Sequence, residues 1–326
     1  MDRVQEDLAL FEACVAEALE WGPGGVKGVF GPKSATWRLL REAFVTTGGL
    51  AALLLQLAHP AVAAGVMAHS DFQHDAIGRA RRTFTSMYGL LFGDEHTAVA
   101  MARRIHGIHA TVVGVVPDDC DSTWAGRPYR ANDPELLLWV LATLVQYTMV
   151  GYETMIGPLT REDKEAYYVE VLVAAGMMGI PKHVVPADID AFGRYWRDMI
   201  HGDVLATNPT SMALRDAVFS SPVTPPHIDS VVATGFLPPI WRDRYGLPWT
   251  TLRRREFKWG IRLVRKMLRN APPAMRYVPA YHQAQLRLAR AEGLQGSRLA
   301  RLIDAVDNVV PLPGHLPSVE RFGTVH

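Results

Sequence analysis

His106 and His109 stand three residues apart in the stretch Arg103-Arg104-Ile105-His106-Gly107-Ile108-His109, and Arg79, Arg82 and Thr83 stand together one candidate helix earlier. On helical spacing Ala102, His106, His109 and Val113 form one stripe. It adjoins an apolar arc of Val99, Met101, Ile105, Ile108 and Val112, which predicts an inward imidazole at His106. Arg79, Arg82 and Thr83 fall at i, i+3 and i+4, again on one face. A neutral imidazole nitrogen is a good iron ligand, and guanidinium or hydroxyl donors opposite it can stabilise oxygen bound to the metal. The same residues have plainer uses. A lone inward histidine also serves as a hydrogen-bonded core residue, and Arg-x-x-Arg-Thr as a solvated helix face. On spacing alone those uses are the commoner ones.

The elements that must position these residues are predicted to be helices throughout, an all-α chain. Amphipathic periodicity marks helices over 7–21, 36–58, 61–68, 77–92, 95–116, 134–156, 161–178, 187–201, 208–220, 249–269 and 273–292. A polar loop fills 117–133. Asp133 before Pro134, and Thr160 before an acidic first turn, read as N-caps. Gly202 reads as a left-handed helix terminator. Residues 43–70 contain no Asp, Glu, Lys or Arg, a run long enough to cross a bilayer, but His59-Pro60 interrupts it. Two buried helices meeting at that point are expected. No repeat, low-complexity tract or linker divides the chain, so residues 1–326 are expected to form one domain, with 311–326 an extended, docked or loose tail.

Composition excludes more than it selects. A net charge of +1 gives no global field for nucleic acid. Arginine outnumbers lysine 28 to six, which suits bidentate contacts to carboxylates. Cys14 and Cys120 have neither metal-like spacing nor a disulfide framework. The acidic start over 1–7 lacks the pattern of a signal peptide, and a cytoplasmic location is expected.

Other motifs compete. The run from His201-Gly202-Asp203 to Asn208 matches the catalytic loop of small-molecule kinases, yet no strand-rich nucleotide lobe precedes it. Gly28 to Ser34 brushes against a phosphate loop but has Pro32 before Lys33. No Gly-x-Ser-x-Gly elbow offers a hydrolase nucleophile. Arg255, Lys258, Arg262, Arg265 and Arg269 form a basic stripe opposite Phe257, Ile261, Val264 and Leu268. A solvated face is its simplest reading. Docking to anionic lipid, nucleic acid or a protein partner is the alternative, and peripheral membrane contact stays open.

Several segments, in order, resemble the MpaB/rubber-oxygenase (latex-clearing protein) family. They are Leu55-Gln56-Leu57-Ala58-His59-Pro60, Gly78-Arg79-x-x-Arg82-Thr83 and the His106-x-x-His109 helix. Tyr129-Arg130-Ala131-Asn132-Asp133-Pro134 follows with Leu136-Leu137-Leu138-Trp139-Val140, then Phe236-Leu237-Pro238 and Tyr245-Gly246-Leu247-Pro248-Trp249. The resemblance covers about residues 30 to 290. It implies an all-helical, partly globin-like domain holding one heme b, with His106 matching the proximal iron ligand and His109 packing at the heme edge. Arg79 and Thr83 match distal-side residues, Arg82 stands where rubber oxygenases carry lysine, and both arginines are implied heme contacts. Rubber-cleaving members also use a glutamate upstream of the arginine block. No glutamate lies between Glu42 and Glu95, so rubber cleavage is not carried over. The implied activity is an oxidoreductase using dioxygen on an apolar organic substrate, with an unknown redox partner. A non-catalytic heme carrier or gas sensor is the alternative, and a phosphotransferase built on 201–208 a remoter one.

Overall fold

In a computed structural model, residues 3–70, 76–118, 121–220 and 226–293 are described, and almost all of their regular structure is helical. Helix α1 (Arg3–Leu19) leads through a glycine-rich connector to α2 (Ala35–Leu40) and a 3-10 segment, Ala43–Gly48. Helices α3 (Gly49–Leu57), α4 (Pro60–His69), α5 (Ala76–Phe92) and α6 (Glu95–Ala110) follow. A small antiparallel ribbon, β1 (Val113–Val115) with β2 (Pro128–Arg130), precedes α7 (Pro134–Met155), α8 (Arg161–Met177) and α9 (Ile189–His201). Helices α10 (Pro209–Phe219), α11 (Pro226–Phe236) and α12 (Pro239–Arg244) lead to α13 (Thr251–Asn270), α14 (Pro273–Arg276) and α15 (Pro279–Ala291). The expected tail over 311–326 and Cys120 lie outside the described residues.

Local chemistry explains the best-matched boundaries. Asp133 accepts the Glu135 N–H at 2.9 Å ahead of Pro134, which sits where a missing N–H costs nothing. Thr160 and Asp163 form a reciprocal capping box on α8. Pro226 and Pro239 occupy the first turns of α11 and α12, two helices that the periodicity did not mark.

Three expected helices are shortened or split, each for a tertiary reason. The segment expected at 36–58 breaks at Glu42, whose backbone forms a bridge to Tyr277 while its side chain binds Arg276. The helix expected over 95–116 stops at Ala110, and the β-branched run beyond it pairs as β1 with Val113 opposite Arg130. A Cβ on Gly114 would come within 2.7 Å of the Tyr129 hydroxyl, so the ribbon needs glycine there. The third break precedes Pro279, which holds Val278 extended and separates α14 from α15.

The charge-free stretch lies in the interior. The Ala43–Leu57 stretch, which is the 3-10 segment with α3, and α4 are bent by 99° about the break, as the Pro60 interruption predicts. The stretch and α7 are long and apolar enough to cross a membrane, but most of both is buried against protein. Contact between them is close: a Cβ on Gly151 of α7 would lie 2.2 Å from the Val45 carbonyl oxygen. Buried aromatic side chains satisfy their polar ends on backbone carbonyls, as an apolar interior requires. Tyr245 donates to Leu54 at 2.6 Å, Trp139 to Leu55 at 3.1 Å and Trp37 to Leu91 at 2.8 Å. A second core joins distant segments: Phe11, Val15 and Ala18 of α1, Trp37, Phe92, Met101 and Ala102, and Val278, Ala280 and Ala284 near the other end.

His59 gives this interior a pH dependence. It is buried, and its Nδ1 accepts the Ala61 N–H at 3.3 Å to cap α4, which only a neutral ring with a free Nδ1 lone pair can do. Burial pushes its pKa down to about 4. The unfolded chain therefore binds this proton first as pH falls. The contribution, of the order of 3 kcal/mol, is complete above about pH 6.5 and is lost progressively toward pH 4. Urea unfolding across that range should show the slope in wild type and a flatter one in His59→Asn, which keeps a cap without titrating. Equal slopes would refute it.

Candidate functional site

The hairpin of α5 and α6 owes its tight turn to two residues. A Cβ on Gly93 would lie 2.2 Å from the Gly89 carbonyl oxygen, and Asp94 caps α6 by accepting the Thr97 N–H at 2.7 Å. The helices then run antiparallel and pack along their length. Counting equally from the turn pairs positions 79–83 of α5 with positions 104–108 of α6 along the hairpin.

Along α6 the inward stripe is Ala98, Met101 and Ala102, continued at helical spacing by the half-buried Ile105 and His109. The Nδ1 of His109 is buried and, among the described residues, has no hydrogen-bond partner. An orphaned polar atom costs about 1–3 kcal/mol, so its persistence needs an explanation, and a bound group is one. Burial first, then the neighbouring His106, push the His109 pKa down to about 4. At neutral pH its ring is uncharged and one nitrogen carries a free lone pair.

His106 sits one step round the helix, beneath α1. Its ring stacks on Phe11 with centroids 4.2 Å apart and planes 20° from parallel. Its backbone carbonyl accepts from Asn132 at 3.1 Å. Burial lowers its pKa against the opposing pull of Asp7 and Glu12. Helix α1 is pinned there by the Arg103–Glu12 pair, with two contacts of 2.8 and 2.9 Å, and by Arg130 on Asp7. The stripe expected through Ala102, His106, His109 and Val113 is thus displaced. Val113 is 47% exposed because the helix has already ended, and Ile108, expected inside, is 54% exposed.

Arg82 and Thr83 are exposed on α5. Arg79 lies within α5, but its side chain is outside the described residues. Glu42, the nearest glutamate upstream of the arginines, is 2% exposed and held by Arg276 at 2.5 and 2.7 Å, so it faces no open site. Among the described residues no group of three or more His, Cys, Asp or Glu side chains could hold a metal ion.

The kinase-like segment has a structural use. Asn208 is buried and caps α10, accepting the Ser211 N–H at 2.7 Å, while Ser211 reciprocates. Asp203 is exposed. Gly202 is extended, not left-handed (φ −78°), and glycine is needed for another reason: a Cβ would lie 2.6 Å from the Asp198 carbonyl oxygen. With the asparagine committed to a helix cap, calorimetry with ATP and magnesium is expected to show no binding by wild type or Asp203→Asn. Tight binding lost in the variant would restore the phosphotransferase reading.

An all-helical domain, with a tight helical hairpin presenting one neutral buried imidazole, is the class that fold and site define. Residues 37–266 match the family described as ER-bound oxygenase mpaB/B'/rubber oxygenase, catalytic domain, and the chain belongs to that oxygenase family. Uncharacterized proteins of Mycobacterium bovis and of Mycobacterium tuberculosis are each 27% identical to it over 225 residues, 65% of this chain and 84% of the relative. No solved structure matches it.

Proposed function

We propose that the protein is a heme b-dependent oxygenase that uses dioxygen on a largely apolar organic substrate, with a histidine of α6 as the residue that would hold the iron. The observation that carries this reading is the orphaned Nδ1 of His109. It is an uncharged imidazole with a buried, unpartnered nitrogen and, among the described residues, no accompanying cluster of protein ligands, a donor that suits a metal already held by a macrocycle. His106 remains the alternative ligand. Its ring face is occupied by Phe11 and it faces two carboxylates, so His109 is preferred. Heme, when bound, supplies the iron at which dioxygen is activated.

The chain's own residues supply orientation and charge. Arg82 and Thr83, with Arg79 on the same helix, would offer donors to oxygen and to heme carboxylates, which is a donor and charge role and not that of a general base. Packing of α6 against α1 and α5 fixes the imidazole before any group binds. Glu42 is tied to Arg276, so the base of the rubber-cleaving members has no counterpart among the described glutamates, and polyisoprene is not proposed as the substrate. Absorption spectroscopy of protein reconstituted with hemin tests the reading. A Soret band with near-stoichiometric heme is expected, followed by oxygen uptake with reductant and apolar substrates. A protein that takes up no heme refutes it, and heme without oxygen uptake would favour a carrier or sensor.

A further inference from the structure

Helix α13 carries eight Lys or Arg residues and one Glu among its twenty, in a chain whose net charge is only +1. Three faces divide it. Phe257, Ile261, Val264 and Leu268 pack toward α7 and α11. Arg255, Lys258, Arg262, Arg265 and Arg269 are all exposed, and none forms an ion pair with a carboxylate of the described residues. The third face is hydrocarbon in water: Leu252, Trp259, Leu263 and Met267 recur at i, i+7, i+11 and i+15, and are 65%, 65%, 43% and 60% exposed. Single exposed apolar residues are ordinary, but four aligned on one helix face make a surface that needs a partner. On the far side of the cationic row, an open groove of about 530 Å³ runs between α13 and Thr154 of α7. Its walls include Phe257, Ile261, Lys258, Arg262 and Arg265.

We propose that α13 docks the protein onto an anionic lipid bilayer. The Leu252–Trp259–Leu263–Met267 face enters the headgroup region, while the adjoining cations and the groove receive lipid phosphates. Charge complementarity and geometry choose this occupant. A helix with aliphatic and indole side chains beside a dense row of Arg and Lys is built for the interface plane, where Trp sits at headgroup depth and long cationic side chains reach sideways to phosphate. Single-stranded nucleic acid would call for several stacking aromatics, and only Trp259 is present on the exposed faces. A second copy meeting α13 about a two-fold axis would set like charges against each other. The chain's own residues 294–326 contain three arginines and three acidic residues, which gives them no net charge to complement the row. The proposal does not depend on heme, although it would bring an enzyme for apolar substrates to their reservoir.

Co-sedimentation of the full chain with vesicles tests it, using phosphatidylcholine alone and phosphatidylcholine with phosphatidylglycerol in roughly a seven-to-three ratio. Binding only to the mixed vesicles is expected, with a blue shift in tryptophan emission and release at high salt. Arg262→Gln, Arg265→Gln and Arg269→Gln should each weaken partition about fivefold, and together on the order of a hundredfold. Trp259→Ser with Leu263→Ser should abolish the blue shift. All these positions are exposed, and an unchanged circular dichroism melt verifies the fold. Equal binding to neutral and anionic vesicles, no binding to either, or an undiminished triple variant would overturn the proposal. So would binding to oligonucleotides or inorganic phosphate without vesicle binding, or a dimer dissolved by Trp259→Ser in protein that ignores vesicles.

Discussion

His109→Ala protein, expressed with heme precursor or reconstituted with hemin, is expected to lose its Soret band, with heme content at least about tenfold below wild type. His106→Ala should keep most of its heme. The contrast follows from placement: His109 presents a buried nitrogen that nothing in the described protein engages, whereas the His106 ring is stacked on Phe11 at the rim under α1. Exogenous imidazole should restore the band in His109→Gly, because the vacated volume matches the missing ring. The effect should appear without loss of folding, since removing an unpartnered polar atom also removes its desolvation cost. Full heme retention in His109→Ala, with loss in His106→Ala, would move the iron to His106 and defeat the argument from burial.

Arg276→Ala is expected to destabilise the fold by about 3–5 kcal/mol, the usual cost of stranding one member of a buried ion pair. Glu42 is 2% exposed and receives both contacts from Arg276, so alanine would leave a buried carboxylate with neither counter-ion nor side-chain donor among the described residues. The pair also closes a junction. The Val278 N–H donates to the Arg41 carbonyl at 2.8 Å, and the Arg41 guanidinium lies over the Tyr277 ring at 4.6 Å. Arg276→Lys should recover only part of the loss, because an ammonium cannot reproduce the two-pronged geometry. Removing both charges, as Glu42→Met with Arg276→Met, should recover more than either single variant retains. The midpoint of urea unfolding measures all four proteins. A loss under about 1 kcal/mol in Arg276→Ala would show that water reaches the carboxylate after all.

What was legible in the chain follows the range of the forces involved. Caps act within four residues, so Asp133-Pro134 and the Thr160–Asp163 box marked α7 and α8 correctly. The proline break at His59-Pro60 was equally visible, and so was the split of α13 into cationic and buried faces. The ordered motifs from Leu55 to Trp249 sufficed for the family, which the match over 37–266 shows. The interruption at Glu42 was not readable, because its partner lies 234 residues away. The surroundings of the two histidines on α6 were not readable either. Both fit one helical stripe, and only the tertiary contact with Phe11 on α1 and the early end of the helix at Ala110 distinguish them.

The second core has a consequence for where this protein begins and ends as a working unit. The stretch shared with the oxygenase family stops short of α1 and α15, yet both supply walls to the chamber that holds Trp37, Phe92, Met101 and Ala102. A recombinant fragment trimmed to 37–266 would lack the ring that supports His106 and the counter-ion of Glu42, and would expose a large aromatic interior to solvent. The shared portion is thus a frame open at one side, closed by panels from either terminus. Those panels also brace the α5–α6 hairpin, through Phe11 on His106 and Glu12 on Arg103.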